Sequence, residues 1–175
     1  LPWADWLWLI VGVAPALVMF EWAMKGMGKW GWIAAFIYCV GAALRLARFN
    51  TNIEVVDKRF FQGLPSPAAA GVVVGFIMFM TDPDINISAR QVDWVSWCLA
   101  VFAGLTMVSN VPFYSFKDVN FRKSVPFIVV FLIALAFALL AIDPPKVLWP
   151  IFVVYGLSGY VVFVLQRARG KRVSI

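Results

Sequence analysis

Val125–Ile142 reads VPFIVVFLIALAFALLAI, a run with no charged or polar side chain. A membrane β-strand needs apolar residues at every second position only, whereas this run is apolar on all sides and too long for one strand crossing. It predicts a helix surrounded by lipid, because in hydrocarbon each backbone N–H and C=O must find its partner within the segment. The rest of the chain agrees. Of 175 residues, 63% are apolar, 17% aromatic and only 14% charged, and there is no histidine. A water-soluble domain of this size could not bury so much apolar surface.

Outward from that run, cuts at charged and Pro/Gly-rich breaks give about six spans. They are Pro2 to Met24, Trp30 to Ala47, Pro67 to Met80, Trp94 to Val111, Val125 to Ile142 and Val147 to Leu165. The expected fold is therefore all-α, a polytopic membrane helix bundle forming one domain over residues 1–175, with no linker polar enough to divide it. Trp3, Trp6, Trp8, Trp22, Trp30, Trp32, Trp94, Trp97 and Trp149 lie in or near span ends, where indole rings anchor helices to the interface. Gly41, Ala42 and Ala43 in the second span, and Ala68 to Gly71 in the third, are small enough to let backbones approach. Those spans should pack on each other or on a neighbour.

If the spans alternate, one side collects Arg45, Arg48, Lys58, Arg59, Lys117, Arg122, Lys123, Arg167, Arg169, Lys171 and Arg172. The other holds Lys25, Lys29, Arg90 and Lys146. Eleven cations against four place both termini in the cytoplasm of a multi-pass inner-membrane protein. The net charge of +6 then suits anionic headgroups or a phosphorylated substrate. No nucleic-acid-binding module accompanies it, which excludes that class of partner. Cys39 and Cys98 lie in different spans without metal-ligand spacing and read as packing residues. The first span has neither the basic flank nor the cleavage site of a signal peptide, and Leu1 leads to the expectation that the chain is a piece of something longer.

The polar interruption RLARFNTNIEVVDKRFFQGLPSP, Arg45 to Pro67, is where chemistry would sit. Arg45 and Arg48, three apart on a helix, share one face and form a fork for carboxylate or phosphate oxygens. The alternative for both is snorkelling at a positive-inside boundary. Asn50, Thr51 and Asn52 could cap turns or touch a polar ligand. Asp57, Lys58 and Arg59 read equally as a solvated charge cluster. Ser66 is placed as the N-cap and Pro67 as the first residue of the third helix.

These residues carry a resemblance. GVAPALVMFEWAMKGMGKWGW (12–32), AALRLARFNTN (42–52) and VVDKRFFQGLPSPAAAG (55–71) resemble the bacterial CDP-diacylglycerol–serine O-phosphatidyltransferases of the CDP-alcohol phosphatidyltransferase superfamily. On this resemblance, residues 12–175 are similar to the C-terminal part of such an enzyme and 1–11 form an atypical start. It implies transfer of a phosphatidyl group from CDP-diacylglycerol to the hydroxyl of L-serine with release of CMP, in contact with membrane lipids and as a homodimer. It also implies Mg²⁺ or Mn²⁺ held by carboxylates that flank a catalytic aspartate. Carried over residue by residue, Arg45 and Arg48 are expected to bind the serine carboxylate or a liponucleotide phosphate. Asn50, Asn52, Gln62 and Ser66 would add polar contacts, with capping an equal account of Ser66. Lys58 and Arg59 would draw in the anionic lipid.

The superfamily signature D-G-x2-A-R-x8-G-x3-D-x3-D departs here. Aligned on Gly12 to Pro15, its last two aspartates fall on Trp3 and Leu7, and Asp5 is out of step. The expectation is that no catalytic or metal-binding residue is present, through truncation, a misread frame or true loss, and that the chain alone is inactive. A non-catalytic membrane scaffold is the alternative. A transporter is the remaining one, disfavoured by the apolar middles of the last four spans. Glu21 is explained by interfacial exposure.

Overall fold

The computed structural model describes residues 2–51, 60–114 and 127–170. Helix α1 runs over Pro2–Met19, passes into a π-helical turn at Phe20–Met24 and a 3₁₀ turn at Lys25–Met27, and reverses at Gly28. Gly28 has φ +60°, a left-handed conformation that glycine adopts without a Cβ clash. α2 follows over Lys29–Thr51, then the three-residue strand β1 at Phe60–Gln62 and α3 at Ser66–Met80. α4 covers Ala89–Val108, β2 Pro112–Tyr114, α5 Phe127–Ile142 and α6 Pro144–Ala168.

Four segments are long and apolar enough to cross a membrane: Ile10–Met27, Lys29–Arg48, Arg90–Val108 and Pro144–Ala168. α3 and α5, at 15 and 16 residues, are shorter apolar helices. The fold is the expected all-α membrane bundle, with an addition that hydropathy did not announce. β1 and β2 pair antiparallel, Phe60 opposite Tyr114, Phe61 opposite Phe113 and Gln62 opposite Pro112. Boundaries also move, as α2 runs on to Thr51 and α6 spans Pro144–Ala168. α4 starts at Ala89, before Trp94, and stops at Val108, because Ser109 turns to extended backbone and leads the chain into β2.

Small residues decide the pairings. A Cβ on Gly41 would stand 2.5 Å from the Gly104 carbonyl oxygen, so α2 and α4 touch backbone to backbone. A Cβ on Gly71 would enter the Phe152 ring and one on Gly75 would press on Trp149, so α3 receives aromatic knobs from α6. Each small-residue patch thus serves a neighbouring helix. The core between α1, α2, α3 and α4 is built from Ala16, Met19, Ala35, Tyr38, Ala69, Val73, Phe76 and Met107, all buried. α5 packs on α6 and has no buried residue, as suits a helix whose solvent is lipid.

Two tryptophans do more than anchor. Trp97 donates its indole N–H to the Trp30 carbonyl at 2.9 Å, and Trp149 donates to the Val72 carbonyl at 3.2 Å. Each ties one helix to another. Near the start of α6, Lys146 meets Asp82 at 3.0 Å, Asp84 at 3.4 Å and Asp143 at 3.8 Å, joining it to the loop after α3.

Candidate functional site

The last turn of an α-helix leaves carbonyls without intrahelical donors. At the end of α4 those carbonyls are met from elsewhere. Arg45 donates through Nη1 to the Met107 carbonyl at 3.5 Å, and Arg48 through Nη1 to the Ser109 carbonyl at 3.3 Å. Leu64 donates its backbone N–H to the Thr106 carbonyl at 3.1 Å, and Gly63 donates to the Val111 carbonyl at 2.8 Å. Arg45 Nη1 also donates to the Gln62 carbonyl at 2.8 Å. That last bond has a local cause: Gly63 bonds to Val111 across the ladder, so by antiparallel alternation Gln62 and Pro112 exchange no hydrogen bond and the Gln62 carbonyl points outward, where it needs a donor from outside the ladder.

Gly63 is the centre of this knot. Its φ is +80°, and a Cβ there would stand 2.6 Å from the Met107 oxygen, 2.7 Å from the Ser109 oxygen and 3.1 Å from Arg45 Nη1. Only glycine lets three chain segments converge so closely. α3 begins three residues later, and its N-terminal end adds a partial positive charge.

Arg45 and Arg48 therefore lie on one face of α2, as the spacing predicted, half-buried and near enough to repel one another. Among the described residues neither guanidinium is paired with a carboxylate; both rest on carbonyl dipoles through one nitrogen each. A guanidinium offers five N–H donors in a planar fork. The rest of each fork remains for a carboxylate, a phosphate or water. Electrostatically this is a pair of neighbouring positive charges braced by backbone carbonyls.

The other expected site residues fare differently. Gln62 joins through its backbone carbonyl. Ser66 is the first residue of α3, not its N-cap: Pro65 holds the cap position, no side chain caps, and the Pro65 carbonyl takes the Ala69 N–H at 3.0 Å. Pro67 is accordingly one position further in. Asn50 stands in the exposed last turn of α2, two positions from Arg48 and so off its face. Thr51 is helical too, its hydroxyl turned back to the Ala47 and Arg48 carbonyls. Asn52, Lys58 and Arg59 lie outside the described residues, as do Lys117, Arg122, Lys123 and Lys171. Among the described residues no three Cys, Asp or Glu side chains come together as a metal site.

Sequence reading missed the contributions from α4, β2 and α6. Tyr155 of α6 donates its hydroxyl to the Tyr114 carbonyl at 3.1 Å and is an electrostatic neighbour of Arg45. The signal available was weak: Tyr155, Ser158 and Tyr160 form a polar patch inside an apolar span.

No protein-family model matches the chain. Curated proteins do. A protein of Helicobacter pylori is 26% identical over 163 residues, covering 93% of this chain and 68% of that protein. One of Methanocaldococcus jannaschii is 30% identical over 151 residues, 86% of this chain and 64% of its own length. One of Mycobacterium leprae is 28% identical over 153 residues, 82% of this chain and 49% of its own. All three bear the name CDP-diacylglycerol–serine O-phosphatidyltransferase.

Proposed function

We propose, from this chain's kinship with the CDP-diacylglycerol–serine O-phosphatidyltransferases, that it is the anion-holding part of a phosphatidylserine synthase. In that reaction the serine hydroxyl oxygen bonds to the phosphorus of the diacylglycerol-bearing phosphate, the pyrophosphate P–O bond breaks, CMP leaves, and the hydroxyl proton passes to a base. One observation carries the assignment: two adjacent guanidinium groups at a membrane-helix end are balanced by carbonyls and by no carboxylate among the described residues. Such a pair repels itself until an anion bridges it. The serine carboxylate and a liponucleotide phosphate are the two candidates, and a planar fork suits either.

In this reading the arginine end of the bundle faces the cytoplasm of an inner-membrane protein, following the excess of cations on that side. Arg167 and Arg169, exposed at the end of α6, would rest among anionic headgroups. Asn52, Lys58 and Arg59 would line the approach of the lipid, and two copies would associate as a homodimer. The carboxylates that would bind Mg²⁺ or Mn²⁺ and take the serine proton are replaced by Trp3 and Leu7 at the aligned positions. No catalytic step is therefore assigned to this chain, which should hold substrate without turning it over.

The test is CMP release by purified protein with CDP-diacylglycerol, Mn²⁺ and a panel of alcohols. No turnover is expected from this chain, and serine-dependent turnover once a segment bearing the aspartate signature is supplied from a relative. Preference of the restored protein for another alcohol would overturn the substrate. The missing aspartates also favour a second reading, a non-catalytic membrane scaffold, which failure of the restored protein to release CMP would support.

A further inference from the structure

The β1–β2 ladder is short and has two open edges at the end of a membrane bundle. Non-helical backbone at such depth persists only where its polar groups are met by protein or water. On the β1 side, Arg45 meets the Gln62 carbonyl. On the β2 side, the Tyr114 carbonyl is met by the Tyr155 hydroxyl, from the middle of α6.

Tyr155 is seated for this task. Its ring lies 5.7 Å from that of Phe113, which is fully buried. One turn further along α6, Gly159 has no side chain because the Phe113 ring fills the space a Cβ would need. Tyr160 bonds to Thr106 of α4 at 2.7 Å, fixing the same stretch of α6 against the helix whose end Arg45 and Arg48 occupy. A phenol at this depth would lose free energy without a hydrogen-bond partner.

We infer that Tyr155 is a positioning residue: it pins β2, and through the ladder holds β1, the Gln62 carbonyl and Gly63 where they lock Arg45 in place beside Arg48 to receive an anion. The functional half of this inference rests on the proposed role of the arginine pair. It extends the site to α6, some 90 residues along the chain from the QGLPSP segment and more than 100 from RLARFN.

The test compares Tyr155→Phe with Trp149→Phe in the full chain, reconstituted in phosphatidylcholine nanodiscs. Each variant loses one hydrogen bond made by α6, the first to the ladder and the second to α3. Amide hydrogen exchange across residues 60–64 and 111–114 should speed up roughly tenfold in Tyr155→Phe, as for the loss of one hydrogen bond. In Trp149→Phe it should stay as in the wild type. Affinity for CDP-diacylglycerol doped into the nanodiscs should fall several-fold in Tyr155→Phe alone, although both variants lower Tm. Unchanged exchange in Tyr155→Phe, or equal acceleration in both variants, would overturn the inference. Faster exchange with undiminished affinity would keep the pin and instead remove the arginine pair from ligand binding.

Discussion

The bundle is tied at both ends, by opposite means. Where α6 starts, Lys146 is ringed by Asp82, Asp84 and Asp143, so its positive charge is met by carboxylates. Where α2 and α4 finish, Arg45 and Arg48 are held by carbonyls, which orient a cation without neutralising it. Both arrangements fasten helices, but the first, one cation among three carboxylates, is left net negative, and only the second leaves positive charge for an anion to answer. An anion site at a membrane boundary thus needs cations whose structural partners are dipoles.

Breaking the carbonyl-held end should cost most at Gly63. In Gly63→Ala a Cβ must fit at positive φ against two carbonyl oxygens, and about 2–5 kcal/mol of stability should be lost. Unfolding by denaturant in detergent would measure it, and wild-type stability would refute the convergence of the three segments. The arginines should then separate fastening from binding. Arg48→Ala, with its one longer bond at 3.3 Å, should weaken CDP-diacylglycerol or L-serine binding by about 10–100-fold with little change in Tm. Arg45→Ala, which loses bonds to Gln62 and Met107, should lower both. Equal Tm losses would mean that both arginines are structural.

The smallest effect belongs to the lysine–carboxylate end. The backbone N–H of Asp84, and after it Lys146, hold the Asp82 carboxyl below its usual range. Its folded pKa is lower than its unfolded one, so its contribution is complete above the ordinary aspartate value of about 3.9 and is lost as pH falls through the folded value. Tm should therefore drop on acidification below about pH 4, and less so in Asp82→Asn, with ligand affinity at neutral pH untouched. A pH profile unaltered by the substitution would detach Asp82 from stability.

The spans were legible because lipid enforces a simple rule: an apolar run with no polar residue has nowhere else to place its backbone. The shared face of Arg45 and Arg48 was legible because helical spacing is local. Their partners were not, since Met107 and Ser109 lie 62 and 61 residues away and contribute only carbonyls, which every residue carries. Three-residue strands leave no periodicity to read, and Pro112 reads as a breaker until it is seen opposite Gln62. Ser66 was misplaced by one position because Pro65 already supplies the extended backbone that a cap requires.

The brevity of α3 has a mechanical consequence. Its 15 residues amount to about 22 Å of helix in a hydrocarbon slab about 30 Å thick, and Asp82 and Asp84 put its far end at water. The shortfall then falls at the Gly63 end, so a bilayer that matches α3 would dimple toward its centre there. A phospholipid could lower its headgroup into that dimple while its acyl tails stay among their neighbours, and no lipid need be lifted out of its leaflet to be handled.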